Sequence, residues 1–432
     1  MNFDRALYFM AAAGAKNERL TRPPHPIFDQ MAHLPDPFAR RPEPVPAHLP
    51  LEARETYVDD FWHALRFLMS YEGSTATFNA YRREIERLLQ WSWLIQKKSV
   101  CDLKREDIEQ FIRFCQSPPL SWIGIKNCAR FNGVEGDRKA HPDWRPFVVS
   151  VSKVQKRAGK NANPHDYAAS QSAIKSLFAI LSSFYNFLIQ EEALGSNPVA
   201  LIRQKSKFLV SGQRREVRRL SNLQWDFVLE TADLMAQEDP AKHERTMFVM
   251  QCLYAMYLRI SELVADERYV PTMSDFRRDS DNNWWFEVVG KGNKERSVSV
   301  SDAMLQALKR YRAHLGLTPL PVPGERTPVV PTLGGKKPVS STRHIRAIVQ
   351  QCFDQAVQRM QEEGLADESH ELQAATVHWL RHTGISEDVK KRPVDHVRDD
   401  AGHASSLTTD RYIDAERRER HASARHKPMT SE

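Results

Sequence analysis

Six side chains spread over the C-terminal part of this 432-residue chain could together hold and attack a phosphate. The rigid guanidinium fork of arginine matches phosphate oxygens in pairs, and two arginines suit a phosphodiester that becomes more negative as it reacts. An ammonium and two imidazoles add donors, and a tyrosine phenol can attack phosphorus as a covalent nucleophile. The set therefore predicts phosphoryl transfer without metal or cofactor. In chain order, its members are Arg259, Lys291, His378, Arg381, His403 and Tyr412.

The strings that contain these residues resemble those of the tyrosine recombinase (phage integrase) family. Four strings occur in the family's order and spacing, and together they are far more specific than any one alone. The resemblance is good from near Leu220 to Tyr412 and looser in the helical region before it. The strings are Leu258 to Leu263, Gly290 to Arg296, His378 to Thr383, and Gly402-His403 nine residues before Tyr412.

The resemblance implies a mainly α fold with a small antiparallel β-sheet in an α+β catalytic domain, and a second helical domain that completes a clamp around DNA. The implied activity is that of a site-specific recombinase or integrase. It would cut and rejoin DNA through a 3′-phosphotyrosyl intermediate and a Holliday junction, without a cofactor. The implied partners are double-stranded DNA with specific recombination sites, three further copies in a homotetramer, and accessory DNA-bending or directionality proteins.

The resemblance also assigns individual roles. Lys291 would deliver a proton to the departing 5′ oxygen, although Lys294, three residues further on, is an alternative. His403 would donate to a phosphate oxygen. From the residues themselves, Arg259 is expected to end an apolar helix, with Glu262 orienting it from the same helical face. Tyr257 stands where many family members have glycine, a difference expected to affect packing more than chemistry.

A zinc site is the rival interpretation of the histidines. His378 and His382 have the i, i+4 spacing of the zinc-binding motif H-E-x-x-H. Trp379 occupies the position of the glutamate in that motif, and Arg381 would repel a dication. The sequence therefore favours a phosphate site with no metal.

Composition along the chain predicts four segments. Residues 1–51 form a proline-rich N-terminal extension, expected to be an extended arm or tether. Residues 52–202 are expected to form a helical domain, which the resemblance identifies as the core-binding domain. Apolar spacing predicts helices after the capping candidates Ser74 and Thr75, from about Glu106 to Cys115, and from about Ser170 to Gln190. An insertion at about 118–164 interrupts this domain and is either a solvated surface loop or a DNA-contacting loop. Residues 203–219 form a basic linker, and the resemblance identifies residues 220–432 as the catalytic domain.

The linker concentrates cations against a single acid, Glu216. Charge runs are often only solvated, but one between two DNA-clasping domains is better explained as phosphate-binding. Trp284 to Val289 and Ser297 to Val300 are strand-like and predict a hairpin whose tip region carries Lys291 and Lys294. The residues expected to bind DNA, with Lys294 of this hairpin, are Arg203, Lys205, Lys207, Arg214, Arg215, Arg218 and Arg219.

Bulk properties agree with this interpretation without proving it. The net charge is +7, which favours nucleic acid weakly, and the 5 cysteines have no paired metal spacing, which fits a reducing bacterial cytoplasm. The apolar stretch from Met247 to Leu258 is too short to span a membrane and is expected to be a buried helix.

Two other functions are compatible with the same fold or the same set of catalytic residues: a non-catalytic DNA-binding regulator, and DNA relaxation of the type IB topoisomerase kind. Because the arm and the insertion add to a compact recombinase, the protein is expected to serve a mobile genetic element.

Overall fold

The computed structural model describes residues 23–38, 49, 54–134, 137–202, 208, 218–290, 295–403 and 425. The chain divides into two compact units, Met1–Gln213 and Arg214–Glu432. The division lies within the predicted linker. The predicted limits of the four segments stay predictions, because much of residues 203–217 lies outside the described part.

The first unit is helical, and its helices begin and end close to where the apolar spacing predicts. The predicted helix after Ser74 is α2, which buries Phe78, Ile85 and Leu88. The longest helix, α5, begins after Ser170, whose hydroxyl accepts a hydrogen bond from the amide of Ala173. The helices are α1 (Val58–Met69), α2 (Thr75–Trp91), α3 (Arg105–Gln116), α4 (Lys153–Arg157) and α5 (Gln171–Gln190).

The described part of the N-terminal extension belongs to the core of this unit. Residues 23–30 form no helix or strand, as the prolines predict. However, Ile27 and Phe28 are buried, and the Phe28 ring stacks on Phe61 at 5.4 Å between centroids. The carboxylate of Glu86 on α2 accepts the Ile27 amide. The expectation of a tether is therefore wrong for these residues, because apolar side chains anchor them.

The insertion is also anchored. It contains two pairs of short strands: β1 (Ile123–Gly124) pairs in parallel with β4 (Phe147–Val148), and β2 (Phe131–Asn132) pairs with antiparallel β3 (Lys139–Ala140). Trp122 and Phe147 are buried in the core of the unit. The interpretation of a purely solvated loop is therefore wrong, since aromatic side chains of the insertion fill the core.

The second unit combines helices with a three-stranded antiparallel sheet of order β5-β6-β7. The predicted hairpin is β6 and β7, and Phe286 faces Val298 across it, both buried. Its strands are β5 (Phe276–Arg278), β6 (Trp284–Val289) and β7 (Glu295–Ser299). Its helices are α6 (Asn222–Glu238), α7 (Pro240–Ala255), α8 (Asp302–His314), α9 (Thr342–Glu362), α10 (Ala366–Gln373), α11 (Val377–Asp388) and α12 (Val394–Ala401).

One helix of the described residues, α5, is long and apolar enough to cross a membrane by length and composition. Its apolar face includes Leu177, Leu181 and Leu188, all buried in the core of the first unit. The core of a helical domain explains this composition.

Candidate active site

Arg259 lies where the chain leaves α7. The helix ends at Ala255, Tyr257 has a φ of 50°, and Arg259 itself is extended, with φ −76° and ψ 145°. A short 3-10 helix, Ile260–Leu263, follows. The prediction that Arg259 ends the apolar helix and shares a helical face with Glu262 is therefore wrong. A residue with positive φ interrupts the α-helix before Arg259.

Glu262 nevertheless contacts both the backbone and the side chain of Arg259. It accepts the Arg259 amide at 2.7 Å and the guanidinium at 2.9 Å. Glu262 is only 4% exposed, so its charge needs partners. Burial by itself would raise the pKa of Glu262, but the hydrogen bonds and charge of Arg296 and the hydrogen bonds of Arg259 lower the pKa overall. The carboxylate is therefore ionised and holds two guanidiniums.

Arg296 is the residue of this site that sequence reasoning missed. Its two terminal nitrogens donate to the two oxygens of Glu262 at 2.8 and 2.9 Å, and its Nε donates to the Asp400 carbonyl at 3.0 Å. Strand alternation could have found it, because Arg296 is two residues before the buried Val298 and so lies on the same face of β7.

Arg381, on α11, is buried and held by backbone carbonyls. Its guanidinium donates to the carbonyl of Tyr257 and to that of Ala401, the latter at 2.5 Å. Gly384 allows α11 to lie close to the end of α7, because a Cβ there would come within 2.1 Å of the Tyr254 carbonyl oxygen. Arg381 thus joins two segments, one before Arg259 and one before His403.

His403 follows the end of α12. Gly402 ends that helix with φ 63°, and the His403 amide donates to the Arg398 carbonyl at 3.2 Å. The Gly402 carbonyl accepts Arg259 at 3.0 Å. A side chain at Gly402 would also press on Arg296, whose Cδ lies 2.8 Å from the ideal Cβ position. Gly402 is therefore required both by its conformation and by the arginine beside it.

The histidines of the site have depressed pKa values. Burial, followed by the charges of Arg381 and Arg259, lowers the pKa of His403 to about 4. Burial and the neighbouring His378 and Arg381 lower the pKa of His382 to about 4. Burial, followed by the charges of Arg381 and Arg259, also lowers the pKa of His378. Near neutral pH the free site therefore presents neutral imidazoles beside guanidiniums, and an approaching phosphate would favour their protonation.

The ring centroids of His378 and His382 are 4.8 Å apart, so the zinc alternative has the expected proximity. The charge of Arg381 lowers the pKa of both rings, and the same charge would repel a dication. A separate donor group in the insertion, Cys128, His141 and Asp143, has ligand atoms within 4.8 Å of one another.

Other contacts already use parts of that donor group. Asp143 pairs with Lys126 at 3.4 Å, and the Asp143 amide donates to Nδ1 of His141 at 3.1 Å. No function is assigned to it.

A polar cluster forms around Asp400, one of the charged residues that precede His403. Asp400, 5% exposed, accepts the amide and hydroxyl of Ser299 on β7 at 3.0 and 2.6 Å, and Arg392 at 2.6 Å. Arg392 also donates to the Tyr257 hydroxyl at 3.1 Å, and that hydroxyl donates to Asp388. Tyr257 thus contributes its backbone carbonyl to Arg381, which glycine could also do, and its phenol to this cluster, so the difference from glycine lies in the contacts of the phenol.

The described residues include Arg259, Glu262, His378, Arg381 and His403 of the predicted set, in one unit and linked as above. The structure does not describe the two hairpin lysines, the tyrosine or most of the linker cations. Arg218 is exposed, and Arg219 pairs with Glu387 at 3.8 Å. The predicted residues outside the described part are Lys291, Lys294, Tyr412, Arg203, Lys205, Lys207, Arg214 and Arg215.

Comparison with known proteins gives two curated relatives and a solved structure. Tyrosine recombinase XerC of Chlorobaculum parvum is 26% identical over 295 residues, 66% of this chain and 77% of the relative. Tyrosine recombinase XerD of Bradyrhizobium diazoefficiens is 34% identical over 210 residues, 45% of this chain and 61% of the relative. No protein-family model matches the chain.

Among solved structures, the XerH site-specific recombinase in a post-cleavage complex with a palindromic difH substrate has a TM-score of 0.53. It is 14% identical and covers 85% of this chain and 84% of that one. This likeness shows the fold. Together with the curated relatives, it confirms the predicted fold class and the predicted resemblance: the chain is similar to the tyrosine recombinases, which are tyrosine-type site-specific DNA recombinases.

Proposed function

We propose that Tyr412 attacks the scissile phosphate of duplex DNA. The bond from the tyrosine oxygen to phosphorus forms as the bond from phosphorus to the 5′ oxygen breaks, which leaves a 3′-phosphotyrosyl ester and a free 5′ hydroxyl. The phenol proton of Tyr412 passes to a neutral imidazole of the site, and Lys291 supplies the proton to the leaving oxygen. The 5′ hydroxyl of a partner strand then attacks the ester and releases the tyrosine, so the phosphodiester energy is kept and no cofactor is required.

The observation that carries this proposal is the way in which both arginines are fastened. Arg259 donates to the Gly402 carbonyl and Arg381 to the adjacent Ala401 carbonyl. His403 follows directly in sequence, and Tyr412 comes nine residues later. The two guanidiniums are thus held to the stem of the segment that carries the nucleophile, which favours a preorganised arrangement of charge.

We propose Arg259, Arg381, His378 and His403 as donors to the nonbridging phosphate oxygens. Arg296 shares Glu262 with Arg259 and so fixes the direction of the Arg259 guanidinium. The cations of residues 203–219 would follow the DNA backbone, where each neutralised phosphate adds salt-dependent affinity.

We further propose the assembly and setting that such chemistry requires. Two rounds of strand exchange by a tetramer on paired duplexes would pass through a Holliday junction, in the bacterial cytoplasm at the nucleoid. A mobile genetic element is the proposed setting, because the N-terminal segment and the insertion add to a compact recombinase. Attachment-like repeats in the DNA that flanks the gene would support this setting, and their absence would argue against it.

The test of the chemistry is covalent trapping. A recombination site would first be selected from a random duplex library by its affinity for the protein. A version of that site nicked near the cleavage point should trap the wild-type protein on the 3′ phosphate, because the short strand carrying the 5′ hydroxyl diffuses away. Tyr412→Phe should bind the site with nearly unchanged affinity and form no covalent complex, since it deletes one oxygen and no cation.

Equal trapping of wild type and Tyr412→Phe would mean that another residue is the nucleophile. A wild-type protein that binds the site but is never trapped would support the non-catalytic regulator instead. Relaxation of supercoiled plasmid irrespective of its sequence, without exchange at the selected site, would support topoisomerase-like action.

A further inference from the structure

A cleft of about 720 Å³ in the first unit is lined by arginines from two separate parts of the chain. Its other walls include Asp29 of the N-terminal segment and residues 167–170 before α5. Three of its arginines lie on α2 and three in the insertion. They are Arg82, Arg83, Arg87, Arg130, Arg138 and Arg145.

These arginines outnumber the carboxylates that pair with them. Arg138 pairs with Asp29, Arg130 with Glu86, and both Arg83 and Arg87 with Glu84 at 2.8 Å. Among the described residues, three acids thus pair with four of the six cations. Counted over these residues, the arginines exceed their paired carboxylates by three positive charges, which attracts an anion.

Arg82 is a buried cation of the cleft, and among the described residues its hydrogen bonds go to no carboxylate. It is 8% exposed, and it donates to the Asp29 carbonyl and, at 2.6 Å, to the Asn79 side chain. Its Nε is buried and has no hydrogen-bond partner in the described part of the chain, which is costly. Desolvation, with the charge of Arg130, lowers the pKa of Arg82 to about 10, and an anion in the cleft would compensate this charge.

Arg145 is the second cation whose hydrogen bonds within the described part of the chain include no carboxylate. Its guanidinium donates to the Pro142 and Trp144 carbonyls, both at 2.7 Å. Carbonyls leave its charge uncompensated. The neighbouring arginines are held rigidly, since Arg87 lies over the Phe147 ring at 4.3 Å and Arg130 over Trp144 at 5.0 Å. A preset array of guanidinium forks suits the tetrahedral oxygens of phosphate.

We infer that this cleft is a phosphodiester-binding site that seats the backbone of duplex DNA, completed by the insertion and the N-terminal segment. The inference rests on the proposed function, which supplies DNA as the phosphodiester. It gives the insertion a role, since half of the arginines come from it. Phosphate contacts carry no sequence information, so the cleft fixes the position of the first unit on DNA and does not select its sequence.

The test measures the affinity of the full-length protein for a random-sequence duplex of about 30 base pairs over a range of salt concentrations. Arg83→Gln with Arg145→Gln removes an exposed cation and the one bonded only to carbonyls, and leaves the buried pairs intact. If both contact phosphates, the slope of log affinity against log salt should flatten by about 1.8, at about 0.9 for each contact. The matched control is Arg105→Gln with Arg113→Gln, which removes two exposed cations of α3 outside the cleft and should leave the slope unchanged.

A cleft variant with the wild-type slope and affinity would overturn the inference and leave the recombinase proposal intact. A wild-type protein that binds no duplex would instead count against the proposed function. Inorganic phosphate is the second probe: if it raises the melting temperature of wild type but not of the cleft variant, while DNA binding is equal, the cleft takes a small anion and not DNA.

A measurement on the unmodified protein covers the case in which the variant does not fold. Phenylglyoxal modifies accessible arginines, and mass spectrometry reports each site. Bound duplex should protect Arg83 and Arg145 but not Arg105. Equal modification of all three with and without DNA would refute the site.

Discussion

Replacing Glu262 by glutamine should damage both the stability and the chemistry of the second unit. Glu262 is 4% exposed and accepts four hydrogen bonds, two from Arg259 and two from Arg296, at 2.7 to 2.9 Å. Glutamine keeps the shape but removes the charge and turns an NH₂ group toward the guanidiniums. Removing one partner of a buried ion pair typically costs about 3 to 5 kcal/mol. Because Arg259 is partly exposed, we expect about 3 kcal/mol in the free energy of unfolding.

The same change should slow strand cleavage. Arg259 would lose the carboxylate that aims it, and the loss of a preorganised donor is typically worth about 3 kcal/mol, roughly a hundredfold in rate. Urea unfolding measures the first effect, and single-turnover trapping on the nicked site measures the second. Arg296→Lys should give part of the rate loss, since it keeps the charge but not the paired hydrogen bonds.

The matched control is Glu287→Gln on β6, where the carboxylate accepts, among the described residues, only the Ser297 hydroxyl at 3.0 Å. Its free energy of unfolding should stay within about 0.5 kcal/mol of that of wild type.

The pH dependence of stability gives an independent test of the role of Glu262. The folded-state pKa of Glu262 is below its ordinary value of 4.5, so its stabilisation is complete above that pH and is lost as the pH falls through the folded-state value. The stability gap between wild type and Glu262→Gln should therefore shrink only in acid. A variant as stable and as fast as wild type at pH 7 would refute the role given to Glu262.

Three further results are expected. The free energy of unfolding should fall as the pH drops from about 6.5 toward 4, because His382 and His403 bind protons more readily in the unfolded chain than in the folded protein. His382→Gln should weaken this pH dependence, and a free energy of unfolding that does not change with pH would contradict it. Tyr257→Phe should lower the rate of strand cleavage more than it lowers DNA affinity. It removes the phenol hydroxyl that contacts Asp388 and Arg392 but keeps the backbone carbonyl that accepts Arg381. An unchanged kcat would show that this cluster plays no part in catalysis. Loss of four linker cations should weaken binding to specific and random DNA alike and flatten the salt slope by about 3 to 4, at about 0.9 per phosphate, whereas an unchanged slope would make the linker a solvated surface. The linker replacements, all to Gln, are at Arg214, Arg215, Arg218 and Arg219.

The sequence by itself determined the class of protein, the helices of the first unit and the main catalytic candidates. Apolar spacing placed α2, α3 and α5 within a residue or two, because amphipathic helices must bury one face whatever they pack against. The chemistry of phosphoryl transfer limits the residue types that can serve, so arginine, histidine and tyrosine in the family's order were informative without coordinates.

Tertiary structure decided how those residues are held. Nothing local in the sequence states that Arg381 donates to Tyr257 and Ala401, or that Arg296 shares Glu262, since these partners are 20 to 124 residues apart. The prediction that a helix runs into Arg259 was wrong because the chain turns at Tyr257, which has a left-handed conformation. The sequence around Tyr257 is compatible with a helix and gives no sign of a turn imposed by packing. The arginine cleft likewise exists only because the insertion and the N-terminal segment pack against α2, which buries charges that the sequence alone would place in solvent.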